Sequence, residues 1–358
     1  MSMIRKIYIF GAHSRAQTLA AYLQYLYPDI RVKAYLFDNE ETNPDKIGEI
    51  PVLRLNGDMP KDTDCPVYIC TRGVYHSQII ERLKQIGFEK IYPVTAELDR
   101  QFRNAYLKKY FISIGKKFPK IDSLEDETEK SAAVYVVRSI FDAPLRQPYR
   151  LASYEKEIQA GAALTEKRIT KRMITDDIED NISARNKQFC ELTVLYWIWK
   201  NAREDIVGLA HYRRHFILPE DWVERMKKNA VDVILPVPLY VAPSVADNYK
   251  KRHDPADWDY MMKYLKRNHE SEYSEAKDFF GKNLYSPCNM FIMRKEVLRE
   301  LCEWLFPIVF EAAGYGGTKE DHYQNRYPGF LSERLISFYF ERYSYRYKVA
   351  YADKNFLT

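Results

Sequence analysis

The sequence predicts an α/β protein of two domains, a small N-terminal parallel-sheet domain and a larger second one. Three observations carry this. Short apolar runs closed by turns alternate with amphipathic segments from Ile4 to Val94. The chain's 358 residues exceed what one ordinary core accommodates. A hydrophobic share of 46% beside 29% charged residues marks a globular chain, not a disordered one.

Lys6–Phe10 reads as a buried strand and Gly11-Ala12-His13-Ser14 as the turn after it. Ala16–Tyr27 is an amphipathic helix, with Leu19, Tyr22, Leu23 and Leu26 at helical spacing. Val32–Phe37 gives a second strand ending at Asp38, Val67–Cys70 a third, Val74–Ile86 a helix and Lys90–Pro93 a last short strand. This βαβ rhythm predicts a Rossmann-like domain over residues 1–98. Gly11 to Ala16 and Asp38 follow the outline of a dinucleotide-binding turn, but His13 stands where the second glycine would be and Ala16 at the third. A side chain at the second position obstructs the approach of a pyrophosphate, which favours docking or regulation as the module's role. In this turn and in the Asp after its second strand, the block resembles the N-terminal domains of sugar-nucleotide acetyltransferases.

Residues 99–131 read as a join. Arg100, Arg103, Lys108, Lys109, Lys116, Lys117 and Lys120 interleave there with Phe102, Tyr106, Tyr110, Phe111 and Phe118. Two readings stand side by side: a helix lying on an anionic membrane surface, and a linker helix that packs its aromatic stripe and solvates its lysines. The second domain, 132–358, opens with the strand Ala133–Arg138 and a polar stretch to Asp180. A helix over Lys187–Asn201, the strand Ile206–Leu209 and the cluster His211-Tyr212-Arg213-Arg214 follow. Val231–Leu235 and Met290–Met293 read as strands. Trp258–Arg267 and Glu296–Phe306 read as helices, and a last helix begins near Gly329.

A net charge of +5 is too small for a typical nucleic-acid partner and fits anionic sugar nucleotides or lipid headgroups better. Five cysteines without a CxxC pair predict reduced thiols in a cytoplasmic setting. No secretory leader and no run of about 20 apolar residues is expected, so any membrane contact would be peripheral. His253 and His322 lack the spaced partners of a metal site, and Cys190 and Cys288 read as buried small residues.

The densest signal runs Asp180-Asn181-Ile182-Ser183-Ala184-Arg185-Asn186, Cys190-Glu191-Leu192-Thr193, Tyr196-Trp197-Ile198-Trp199-Lys200-Asn201 and Gly208-Leu209-Ala210-His211-Tyr212-Arg213-Arg214. These residues resemble the hallmarks of the DUF4422 glycosyltransferases found among capsule and lipopolysaccharide gene products. The likeness reaches Gln159-Ala160-Gly161-Ala162-Ala163 upstream. Downstream it takes in Asn289 and Gly329-Phe330-Leu331-Ser332-Glu333-Arg334-Leu335. It implies a GT-A-like fold acting on a nucleotide sugar in exopolysaccharide assembly, with galactofuranose one candidate sugar. It also implies a UDP-sugar donor and a lipid-linked glycan acceptor, and it brings Asn289 and Arg334 among the donor-binding candidates.

The residues themselves suggest roles. His211–Arg214 follow a strand end, where α/β folds bind ligands, and adjacent guanidiniums there suit a diphosphate. Metal-dependent GT-A enzymes carry a DxD at this position, and the HYRR in its place suggests that arginine neutralises the departing UDP. Asp62-Thr63-Asp64 and Asp257-Trp258-Asp259 read as structural acids, and dependence on manganese or magnesium is left open. Glu333 is the first candidate for the base that deprotonates an acceptor hydroxyl, with Asp180 and Glu191 behind it. Asp180, Asn181, Ser183, Tyr212, Arg213 and Arg214 complete the donor set, although Ser183 and Asn186 suit helix caps equally well. Two rival functions stay open: a nucleotide-sugar oxidoreductase or epimerase using the first domain, and a non-catalytic assembly scaffold.

Overall fold

The computed structural model describes residues 4–38, 43–55, 62–123 and 131–358. Two compact units divide the chain, Met1–Phe118 and Pro119–Thr358. In the first, β1 (Arg5–Phe10), α1 (Ser14–Leu26), β2 (Ile30–Phe37), β3 (Lys46–Ile47), β4 (Ile50–Arg54), β5 (Val67–Ile69), α2 (His76–Ile86), β6 (Ile91–Pro93) and α3 (Ala96–Ser113) follow in order. The sheet order is β3-β4-β2-β1-β5-β6, parallel apart from the β3–β4 pair.

Strand alternation explains why β1 is apolar throughout its second half. Ile7 and Ile9 join Leu19 and Leu23 of α1 on one face, and Tyr8 and Phe10 join Leu83 of α2 on the other. Gly11 is needed for its backbone, at φ +116°, rather than for space, since a Cβ there would sit 3.6 Å from the Cys70 carbonyl.

The segment expected to be a linker starts inside α3, which belongs to the first unit. Thr95 caps it by accepting from the Leu98 N–H at 3.1 Å. Tyr106 lies 5.0 Å from the Tyr22 ring and 4.8 Å from that of Tyr25, and Lys109 Nζ donates to the Tyr25 carbonyl at 2.7 Å. The aromatic stripe thus finds its cover on α1.

The second unit holds β7 (Ala132–Arg138), β8 (Glu155–Gln159), β9 (Ile174–Thr175), α4 (Asn186–Phe189), α5 (Leu192–Asn201), β10 (Ile206–His211), β11 (Phe216–Ile217), α6 (Trp222–Lys228), β12 (Val233–Pro236) and β13 (Leu239–Tyr240). Then come α7 (Val245–Arg252), α8 (Pro255–Asn268), α9 (Glu270–Phe280), β14 (Leu284–Tyr285), β15 (Phe291–Arg294), α10 (Lys295–Gly316), α11 (Tyr327–Arg342) and β16 (Val349–Lys354). Eight strands make one sheet in the order β11-β16-β12-β15-β10-β7-β8-β9. β15 runs antiparallel to both neighbours, while β12–β16 and β10-β7-β8-β9 pair in parallel. The large core lies between the sheet and α5, α8, α9, α10 and α11, and α6 covers a smaller cluster around Trp222 and Ile234.

Two helices differ from expectation. The one predicted over Lys187–Asn201 breaks at Cys190, whose φ of +47° no helix accommodates. The one predicted to stop at Phe306 continues through Pro307 to Gly316, because Ile308, Val309, Ala312 and Ala313 keep an apolar face buried beyond the proline.

Candidate functional site

The carboxyl ends of β7, β10, β12 and β16 and the start of β15 share one edge of the second unit's sheet, the position where α/β sheets present ligand-binding loops. β10 ends at His211 in a tight turn, in which the His211 and Arg214 backbones exchange N–H···O bonds of 3.0 and 2.9 Å. The loop into β15 is pinned to β12 by Ser286, whose hydroxyl donates to the Pro236 carbonyl at 2.8 Å. Its next residues, Cys288 and Asn289, take φ values of +76° and +50°, strained for side chains other than glycine. That geometry lets one residue serve two sides. The Cys288 carbonyl accepts from His211 Nε2 at 2.7 Å, and its backbone also hydrogen-bonds the Glu333 carboxylate.

Asn289 joins three elements. Its Nδ2 donates to Glu191 Oε1 at 2.8 Å and to the Gly329 carbonyl at 3.0 Å, and its Oδ1 accepts from the Ser332 hydroxyl at 2.6 Å. Glu191 arrives there because the break at Cys190 turns the chain just before α5. Glu333 and Arg334 stand one turn further along α11. Arg334, 2% exposed, donates to Glu333 at 3.1 Å and to the Phe330 carbonyl at 2.7 Å, with its guanidinium 4.6 Å from the Tyr285 ring. Burial drives the Tyr285 phenol up to about 12, against the lowering effect of Arg334.

The electrostatics of this cluster have clear causes. Burial raises the Glu333 carboxyl above its ordinary value; Arg334 opposes the shift and Glu191 reinforces it. Burial also lowers the His211 imidazole, opposed by Glu191 and assisted by Arg214, so the ring is neutral at pH 7 and acts as an N–H donor. Arg326 donates through Nε to Cys190 Sγ at 3.0 Å and lies 3.8 Å from Glu191. Arg214 lies over the Phe356 ring at 5.2 Å, within electrostatic reach of His211, Cys288 and Glu333.

Glu333, His211, Arg214, Asn289 and Arg334 are therefore brought together, but not all as donor ligands. Asn289 and Arg334 are buried and bonded to Glu191 and Glu333 respectively. The adjacent guanidiniums do not work as a pair. Arg213 stacks beside Tyr212 at 5.2 Å and donates to the Ala143 carbonyl at 3.3 Å, because consecutive residues of a tight turn point apart. The Tyr212 N–H donates to the Val137 carbonyl at 3.1 Å, and its carbonyl hydrogen-bonds the His215 imidazole at 3.2 Å.

Asp180, Asn181 and Ser183 fall elsewhere. Asp180 is exposed and tied to Tyr196, midway along α5, and to Asn201 at its end remote from Glu191. Asn181 closes a local turn by accepting from the Ser183 N–H at 3.1 Å. Ser183 is fully buried and donates to Asp176 Oδ1 at 2.5 Å.

Asp176 itself escaped sequence reasoning, since it stands between Thr175 and Asp177 in an unremarkable polar stretch. Its buried carboxylate also accepts from the Gly161 N–H at 2.9 Å, the Ala162 N–H at 3.0 Å and the Thr193 hydroxyl at 2.6 Å. Gly161, at φ +67°, would place a Cβ 2.7 Å from Asn186 Oδ1. Gly161, Ala162, Ser183 and Thr193, all within the motif strings, thus converge on one buried carboxylate.

Both DxD strings are engaged structurally. Asp62 pairs with Lys33, Asp257 with Lys319, and Asp259 with Lys250. No set of three His, Cys, Asp or Glu side chains is grouped for a metal among the described residues. His253 is buried against Phe330, ring centroids 4.1 Å apart, and burial with Arg334 nearby lowers it to about 4. No described helix is long and apolar enough to cross a membrane.

The fold is one also seen in a solved glycosyltransferase. The apo structure of the WbbM bifunctional glycosyltransferase superposes with a TM-score of 0.54 at 24% identity, over 64% of this chain and 45% of that one. This chain therefore spans less than half the length of that protein. Residues 146–344 match the family described as a domain of unknown function, DUF4422, and the chain belongs to that family. No curated protein matches it.

Replacing Asp176 with Ala strands four donors in the interior. It should destabilise the second unit by about 3–5 kcal/mol, with Asp176→Asn intermediate, as read from denaturant midpoints.

Proposed function

We propose that this chain is a glycosyltransferase that moves a sugar from a UDP-sugar to a glycan acceptor, with Glu333 as the base. The observation that carries the reading is the Glu333 carboxyl: side chain 16% exposed, raised by burial, and set at the sheet edge beside Glu191 and Arg214. In this reading the acceptor hydroxyl attacks the anomeric carbon and gives its proton to Glu333. The bond from that carbon to the diphosphate oxygen breaks, and UDP leaves with the bonding pair. Arg214 answers the charge that develops on the diphosphate, while His211 holds the Cys288 loop in place. Arg213 serves the donor from the neighbouring end of β7.

The acceptor would approach along α11. In the turn before α11, Tyr323 lies 5.0 Å from the Phe330 ring and the Arg326 guanidinium 5.8 Å from it, and Glu333 follows Phe330 at i+3 on the helix. Ring faces and a guanidinium suit sugar C–H groups and hydroxyls. The DUF4422 resemblance supports a lipid-linked glycan of a surface polysaccharide as acceptor, at the cytoplasmic membrane face, with galactofuranose as a candidate transferred sugar. The donor is found by a calorimetric screen of nucleotide sugars with and without manganese or magnesium.

Two outcomes test the assignment. Glu333→Gln should lower turnover about 10²–10⁴-fold while leaving donor affinity within about twofold; retained turnover removes Glu333 from the chemistry. Only the deprotonated base is active, so activity is lost as pH falls through the raised Glu333 value. Glu191→Gln keeps an oxygen for Asn289 yet removes a neighbouring negative charge, and should move the acid limb of kcat/KM to lower pH.

A further inference from the structure

The first unit carries a basic, partly apolar surface that holds none of the residues proposed for the transfer reaction. From Arg100 to Ile121 the sequence has seven Lys and Arg residues and no Asp or Glu. Most of this run is α3 and the turn after it, and the helix has two distinct sides. Arg103, Tyr106 and Leu107 are buried, whereas Gln101, Ala105, Lys108 and Ile112 are exposed at i, i+4, i+7 and i+11, a single outward stripe. Ile112 is 65% exposed and Ile114, just past the helix, 46%; Lys108, Lys116 and Lys117 around them are exposed too.

A single exposed isoleucine is ordinary, and so is a lysine-rich helix. Their combination is more specific. Two aliphatic side chains at a helix end, ringed by cations in a segment without one acid, match a surface that is negatively charged and has hydrocarbon just beneath. A polynucleotide offers the charge but nothing for the isoleucines. We propose that the C-terminal end of α3 docks on an anionic lipid surface, with Ile112 and Ile114 entering the headgroup layer and Lys108, Lys116 and Lys117 facing lipid phosphates. The contact is peripheral and reversible, since so short an apolar tip cannot anchor a chain permanently.

Flotation of the full chain with phosphatidylcholine vesicles, with and without phosphatidylglycerol, tests this. Binding is expected only with phosphatidylglycerol and should weaken in high salt. Lys108→Gln with Lys117→Gln should reduce partitioning on the order of thirtyfold. Ile112→Ser with Ile114→Ser should reduce it about tenfold or more at an unchanged melting temperature. Equal binding to both vesicle types overturns the proposal. So does a double-isoleucine variant that binds like the parent chain, or one that melts lower, which would mean these side chains cover another part of the protein. Displacement by single-stranded RNA that is indifferent to the isoleucine changes would assign the charge run to nucleic acid instead.

Discussion

The side-chain amide of Asn289 is the contact on which the site depends. It is buried and bonded at both ends, to Glu191 and Gly329 through Nδ2 and to Ser332 through Oδ1. Through it the entry to β15, the start of α5 and the first turns of α11 become one rigid body. The left-handed backbone at Cys288 and Asn289 is affordable only because these bonds over-determine it. The strained pair sets the Cys288 peptide between His211 and Glu333, so the candidate base and the strand-end histidine are positioned by one residue that contributes no side-chain chemistry.

Charge in this cluster is unevenly matched. Glu333 is answered by Arg334, and Glu191 by Asn289 and, at longer range, Arg326. Arg214 makes no ion pair among the described residues and leans on an aromatic face instead. Two carboxylates against three guanidiniums leave one positive charge over. A cationic group held close to a carboxyl whose own ionisation is resisted suits a reaction in which negative charge grows on a leaving group as a proton arrives on the base. Burial also separates the two guanidiniums: Arg334 is sealed beside Glu333, while Arg214 is only half-buried, which is why it is the one proposed to meet the diphosphate.

Much of the architecture was legible because apolar periodicity reports burial directly. β1, β2, β7 and β10 stand where short apolar runs placed them, and α8 begins behind its acidic cap. What was hidden had another physical origin. β8, Glu-Lys-Glu-Ile-Gln, looks like a solvated loop, yet Glu155 is buried because His215, Tyr149 and the Ala152 N–H bond to its carboxylate. The break at Cys190 is a backbone event that no side-chain pattern announces. Ser183 and Thr193 stand in signature strings where the nearby buried Asp176 carboxylate needs their hydroxyls, and Asn186 ties Thr193 to the Cys190 carbonyl. Glu333 and His211, singled out late in the domain and at a strand end, come together through the Cys288 backbone.

The two units differ in how their most suggestive residues are occupied. The first unit has the outline of a dinucleotide-binding fold, and its two most suggestive residues are already employed. Gly11 is required by a backbone angle of +116°, and the Asp38 carboxylate, placed where a ribose would be read, accepts from Arg82 at 3.0 Å. A ribose would have to displace a charge-assisted hydrogen bond, and a pyrophosphate would have to pass the side chain of His13. The second unit shows the opposite condition. A carboxyl is held above its normal range there, and a guanidinium lacks a carboxylate partner among the described residues, two states that cost stability and make sense where a substrate completes them. That asymmetry is the physical support for proposing the carboxyl edge of the eight-stranded sheet, rather than the first unit, as the reacting centre.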